Sequence, residues 1–327
     1  MAFAVATGLG GCGQAAPSQG AARSLVLEKT IALPAVAGRI DHLAIDIEHL
    51  RLFVAELGNG SVEAIDLAKG QVAGRIGGLK EPQGLGYLPG RDELVVASGD
   101  GVVRFYKGGD LALAGALKLG DDADNVRIDP TTGHVVVGYG DGALATIDPA
   151  ARTVRSIMPL GAHPEGFRLD PAHRRAFINL PGAGQIAVGD LDAGKVIDTR
   201  KAAHSAGYPL LFDPAANTVA VVYRFPARLV VADANTGRTL QDVGVCGDAD
   251  DLFLDAKRQR VYVSCGSGEV DVLQASPQGY RRIDRIKTNS GARTSLFVPE
   301  IDRLFVAARA SGGKPAAILV FRPDGAP

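Results

Sequence analysis

The chain has 327 residues, a formal net charge of −1 from 35 basic and 36 acidic side chains, and 46% hydrophobic residues. That much apolar material supports a packed core and excludes a disordered chain, and the balanced charge offers no broad attraction to nucleic acid or a membrane surface. With 42 Gly, 18 Pro and no Trp the sequence is turn-rich, and no apolar run reaches the roughly 18–20 residues that span a bilayer.

Residues 1–23 read as a leader and flexible tether. Cys12 follows Leu9, Gly10 and Gly11 after a small-residue and apolar stretch, the pattern of a bacterial lipoprotein box whose cysteine is acylated. No basic residue precedes that stretch, so a plain Gly/Ala leader is the alternative. The lipoprotein reading predicts export to the periplasm or cell envelope, with membrane attachment only through lipidated Cys12.

From residue 24 to 323 one unit repeats every 41–43 residues, with copies starting at Asp41, Gln83, Asp124, Glu165, Tyr208, Asp250 and Arg293. Each copy holds a short apolar strand, a turn, a second strand rich in β-branched and aromatic residues, a Gly turn and a third strand. The turns GNG, GDG, GDG, GAG and GSG supply the positive φ of tight hairpins. A period of about 40–45 residues with four short strands per unit is the signature of β-propeller blades. The expected fold is all-β, a seven-bladed propeller of four-stranded blades. The seventh copy ends after three strands, at Ala317-ILVF, and the strand-like Ser24-LVLEKTIAL supplies the missing outer strand, closing the ring. Residues 324–327 form a short tail.

The segments RLFVAE, HVVVGY and RVYVSC, each followed by a Gly turn and a strand of the [AV]-x-[IV]-D kind, resemble the YVTN-repeat (YncE-like) bacterial propellers over about residues 24–323. The resemblance implies the fold and export. Family members serve as binding, scaffold and surface proteins, whereas other propellers of similar build are lactonases or lyases.

First strands of propeller blades line the central channel, so the seven copy starts should meet at one mouth. Two residues earlier stand Arg39, Glu81, Asp122, His163, Ala206, Asp248 and Gly291; two residues later come Leu43, Leu85, Val126, Phe167, Leu210, Leu252 and Ser295, predicting polarity at the entrance and apolar groups deeper in. Seven carboxylates against Arg39 and Arg293 make the mouth acidic, and closely spaced like charges call for a cation, an arginine or shared protons. Asp41, Asp124, Asn125, Glu165, Asp250 and Asp251 form an oxygen-rich set suited to a hard divalent ion such as Ca²⁺. His42, His163, Glu165 and Arg293 are the candidate catalytic groups: a histidine as base, Arg293 on a carboxylate or oxyanion. Gln83, Tyr139, Asn179, Tyr208, Tyr223 and Arg224 are the expected substrate contacts. Blade-to-blade bracing is the structural alternative for each, but one repeated residue would serve bracing better than seven diverged ones.

The remaining histidines, His49, His134, His173 and His204, fall in predicted turns or outer loops. No nucleophile elbow, P-loop, dinucleotide fingerprint or metalloprotease box occurs. Cys246 and Cys265 both fall at the mouth end of the sixth copy, where they are a disulfide, two buried thiols or soft-metal ligands. Two functions fit this reading. One is divalent-metal-assisted hydrolysis or elimination of a lactone- or ester-like substrate; the other is non-catalytic binding of a small molecule or metal by a monomeric scaffold, with no nucleic-acid partner.

Overall fold

In the computed structural model, residue 1 and residues 23–276 and 279–325 are described. Cys12 lies outside them. Each run of β-branched and aromatic residues between glycine turns forms a strand, and the strands assemble into seven four-stranded antiparallel sheets. Blade 1 comprises Leu43–Asp46, Arg51–Glu56, Ser61–Asp66 and Gln71–Ile76. Blades 2 to 6 follow with inner strands Pro82–Leu88, Ala123–Ile128, Phe167–Asp170, Ser205–Asp213 and Ala249–Asp255, and blade 7 starts at Thr294–Val298. The third residue of each Gly-x-Gly turn, Gly60, Gly101, Gly142, Gly184 and Gly268, has a positive φ, the conformation for which glycine carries no Cβ penalty.

Leu25–Leu33 pairs with Ala316–Pro323, placing Ile31 opposite Ile318 and Leu33 opposite Ala316. The first strand of the sequence thus becomes the outermost strand of blade 7 and joins the two ends of the chain in one sheet. Glu28 fastens it, accepting from Arg303 Nε at 2.6 Å and meeting Arg322 at 3.1 Å. The seven inner strands touch in sequence round the ring, and Leu43–Asp46 meets Thr294–Val298 to close it.

Sequence pattern also fixes where the core lies. Second strands such as Arg260–Cys265 are buried throughout, whereas outer strands such as Leu113–Lys118 carry charges and face water. Seven apolar clusters result, one in each interface between neighbouring blades: Phe53, Ala55 and Val62 of blade 1, for example, pack on Leu85, Leu94 and Val96 of blade 2. Each fully buried Leu, Val or Phe contributes on the order of 1.5–3 kcal/mol.

A second set of acids serves this framework. Asp46, Asp170 and Asp255 end their inner strands, far from the strand entrances, and are buried. Asp46 accepts from Arg51 Nε at 2.7 Å and Asp170 from Arg175 Nε at 2.8 Å, while Asp255 accepts from Tyr262 Oη at 2.7 Å. His49 and His173 sit in turns as expected, but each pairs with its strand-end aspartate at 2.9 Å. Asp46, His49 and Asp92 lie close enough together to resemble a metal triad. Arg51 already occupies their oxygens, at 2.7 Å from Asp46 and 2.6 Å from Asp92, so the group is an ion-pair network between blades 1 and 2.

Candidate functional site

Five blades deliver a consecutive pair of residues to one cavity in the channel: Asp41 and His42, Asp124 and Asn125, Glu165 and Gly166, Tyr208 and Pro209, and Asp250 and Asp251. In a regular strand, neighbours point to opposite sides. Here strand pairing slips at the mouth, between Ala123 and Val126 in blade 3, Gly207 and Leu210 in blade 5, and Ala249 and Asp251 in blade 6. Such bulges re-aim side chains, so in these three blades both members of a pair reach the cavity, whereas Asp41–His42 and Glu165–Gly166 precede the regular strands Leu43–Asp46 and Phe167–Asp170. The backbones approach closely as well: a Cβ on Gly166 would stand 2.4 Å from the Tyr208 carbonyl oxygen, which the Gly166 N–H reaches at 3.1 Å.

Before the ring position the chain turns through the left-handed region, with φ of 49° at Glu81, 46° at Asp122, 57° at Ala206 and 60° at Asp248. Asp tolerates that conformation better than most residues, so part of the acidic character of this row is backbone chemistry. Asp122 accepts from Gln83 Nε2 at 2.9 Å, and Asp248 meets Arg293 Nη1 and Arg224 Nε, both at 3.1 Å.

The arginines divide the acids into two kinds. Arg39 holds Asp41 at 2.8 Å; Arg224 and Arg293 hold Asp250 at 2.6 and 2.9 Å. Asp124 and Glu165 have no such partner: among the described residues neither forms an ion pair with an arginine or lysine, and Asp124 Oδ1 is buried without any hydrogen bond. Burial holds the Asp124 carboxyl well above the usual carboxylate range, reinforced by Asp41, Glu165 and Asp122. Burial also raises Asp41, Glu165 and Asp250, and pushes Asp251 up to about 8 although its Oδ2 accepts from the Ser295 N–H at 2.7 Å. His42 stands 3.8 Å from Asp41 and 3.9 Å from Asp124. Burial, then the charge of Arg127, brings its imidazole down to about 3, so it is neutral near pH 7.

Other expected site residues lie elsewhere. His163 is not among the residues lining the cavity and meets the Gly140 carbonyl oxygen through Nδ1 at 2.6 Å. Asn179 braces blade 4 against blade 5 by donating to the Tyr208 carbonyl oxygen at 3.2 Å. Tyr223 is a core residue, packed with Phe177 and Leu210, with its hydroxyl accepting from the Ala203 N–H at 3.2 Å. Tyr139 packs against the core between blades 2 and 3. These last three take the interior because second-strand residues alternate into the spaces between blades. Gln83 and Arg293 stay at the rim. Arg224 lies with its guanidinium 3.8 Å over the Tyr208 ring. Cys246 and Cys265 are joined as a disulfide.

The expectation of an apolar layer beneath the ring needs correction. Leu43, Leu85, Val126, Phe167 and Leu252 belong to the inter-blade clusters; of the expected layer Leu210 lines the cavity, together with Arg127 and Arg168, three residues after Asp124 and Glu165. Alternation counted through the blade 3 bulge misses Arg127, and alternation counted from Glu165, which precedes the blade 4 strand, misses Arg168. The column three residues after each copy start exposes them, since its other members, Ala44, Gly86, Leu211, Phe253 and Leu296, carry no charge.

No family model matches the sequence, and no curated protein matches it either. Among solved structures, one titled Kuenenia stuttgartiensis hydrazine synthase superposes with a TM-score of 0.77 at 15% identity, over 95% of this chain and 100% of the other. A structure titled mitotic checkpoint complex gives a TM-score of 0.77 at 14% identity, over 98% of each chain. At that identity the likeness is one of architecture, and it agrees with the sheet topology: the chain is a seven-bladed β-propeller.

Proposed function

We propose that the channel mouth binds a hard divalent cation, and that the protein is an exported, non-catalytic binding propeller of the YVTN-like kind. The observation that carries the reading is the buried, unpartnered Asp124 Oδ1 beside unpaired Glu165, in a cavity whose ligand atoms are mostly carboxylate oxygens with the neutral His42 imidazole beside them. A buried carboxylate without a partner is costly, and a divalent ion removes that cost. Among the described residues, the mouth carboxylates do not converge as three oxygens within 4.8 Å of one another. The ion is therefore held through one or two carboxylates, with water completing its shell, as small hard cations commonly are.

Cavity size favours binding over catalysis. The space amounts to about 30 Å³, whereas sites for organic substrates run to ~300–1,000 Å³. Hydrolysis or elimination of a lactone- or ester-like substrate would need that larger space as well as the cation, and His42 as its base. The Cys246–Cys265 disulfide supports export, because such bonds persist in oxidising compartments.

Equilibrium dialysis of EDTA-treated protein against Ca²⁺, Mg²⁺ or Mn²⁺, followed by elemental analysis, tests the proposal. It expects about one ion per chain in the wild type and none in Asp124→Asn. Equal metal content in both proteins, or none in either, overturns it. Turnover across a panel of lactones and esters would restore the catalytic reading.

A further inference from the structure

We propose that Arg127 and Arg168 form a second site in the channel, which binds a small inorganic anion of chloride size. The site lies inward of the acidic ring and does not depend on the cation reading.

Both guanidinium groups donate to a single oxygen, the Phe167 carbonyl, Arg127 Nε at 3.1 Å and Arg168 Nη1 at 3.0 Å. The two donor nitrogens therefore stand no more than about 6 Å apart, a spacing at which like charges inside a protein repel strongly. Every other acceptor that Arg127 reaches is neutral: the Val126 carbonyl oxygen at 2.7 Å and Asn125 Oδ1 at 3.1 Å. Arg168 reaches no acceptor besides Phe167, so most of its five N–H donors are unmatched among the described residues. Neither arginine has a carboxylate oxygen within 4 Å among the described residues. That sets them apart from Arg51, Arg175, Arg224, Arg258 and Arg293, each paired with an aspartate.

Position adds to the argument. Arg127 is fixed over the Phe167 ring, 5.4 Å from its centroid, and is not free to swing into solvent. Both arginines line the same cavity as Asn125, His42 and Asp251. Five acids line that cavity, Asp41, Asp124, Glu165, Asp250 and Asp251; among the described residues none forms an ion pair with either guanidinium, and the Asp251 Oδ2 is engaged by the Ser295 N–H. A guanidinium pair that shares a neutral acceptor and still carries spare donors is complementary to an anion lying between the two groups, within reach of their in-plane N–H donors. The volume of about 30 Å³, far below the ~300–1,000 Å³ of sites for organic ligands, favours a small inorganic anion over a phosphate ester.

The test uses the whole protein, with EDTA present so that no divalent cation contributes. Wild type is dialysed into sodium gluconate and titrated with NaCl, NaBr or sodium phosphate at constant ionic strength, and the melting temperature is followed. Crystals soaked in NaBr are examined for anomalous density. The proposal expects a saturable rise in melting temperature with chloride and bromide, and a bromide peak within about 3.5 Å of both guanidiniums. It expects at least a tenfold weaker halide response in Arg168→Gln and Arg127→Gln. A melting temperature indifferent to halide with no bromide peak overturns it, as does stabilisation by phosphate equal to that by chloride. Because the wild-type titration and soak need no variant, a poorly folding substitution leaves the test intact.

Discussion

Arg224, near the end of the second strand of blade 5, donates to Asp250 Oδ1 of blade 6 at 2.6 Å while its guanidinium carbon sits 3.8 Å from the centroid of the Tyr208 ring. One side chain therefore seals the boundary between two blades and neutralises one of the mouth acids. Arg293 of blade 7 holds the other oxygen of Asp250 at 2.9 Å, so a single aspartate ties three blades together.

Replacing Arg224 by Ala leaves Asp250 with one partner and uncovers Tyr208. The expected cost is about 2–4 kcal/mol of folding stability, because a mostly buried ion pair is broken on one side only. Arg224→Lys recovers less than half of it, since an ammonium neither stacks nor forks as a guanidinium does. Urea denaturation of the three proteins measures both; equal midpoints for wild type and Arg224→Ala contradict the bracing role.

The fold is legible in the sequence because each of seven copies repeats the same local instructions: an apolar second strand, a glycine at a positive-φ turn and a strand ending near Asp. Ring closure is legible too, from a missing strand at one end and a spare strand at the other. Much of the mouth follows, since strand starts must meet round the axis, and Asp41, Asp124, Glu165, Tyr208 and Asp250 do so. What alternation cannot reveal is the bulge, which turns both Asp124 and Asn125 inward and brings Arg127 into the channel. Tyr223 was expected as a contact from its place at a strand end, but a large aromatic there is worth more between blades, where it is shielded from water.

The disulfide closes a loop between Cys246 and Cys265, 19 residues apart. Replacing both by Ser should lower stability by about 3 kcal/mol, chiefly by freeing the unfolded chain. Wild type with reductant and the double variant should melt together; a variant as stable as the oxidised wild type contradicts the expectation.

Glu56 and Glu63 are both buried in blade 1. Ser61 donates to Glu56, whereas Glu63 is pushed up to about 7 by burial and by the charge of Glu56. A carboxyl whose folded value lies above its unfolded one binds its proton more tightly when folded. Its contribution is complete below the ordinary value of 4.5 and is lost as pH rises through about 7. Stability should therefore fall from pH 5 to pH 8, on the order of 2–3 kcal/mol, and Glu63→Gln should flatten that slope. Urea midpoints at unit pH intervals decide it; parallel profiles for the two proteins contradict it.

Asp124→Asn removes a buried carboxyl whose ionisation is opposed by burial and by Asp41 and Glu165. In cation-free buffer the variant should be more stable than wild type by about 1–3 kcal/mol, the range for relieving an unsatisfied buried group. Thermal melting in EDTA shows whether the order is as stated; a destabilised variant contradicts the strain assigned to Asp124.

The central claim is that the channel mouth is built to hold an ion rather than merely to brace the blades, and calorimetric titration of EDTA-stripped protein with Ca²⁺ tests it most directly. The account predicts saturable heat at one site per chain in the wild type and its loss in Asp124→Asn and Glu165→Gln, with the fold retained. No heat in the wild type, or undiminished binding in both variants, would contradict it.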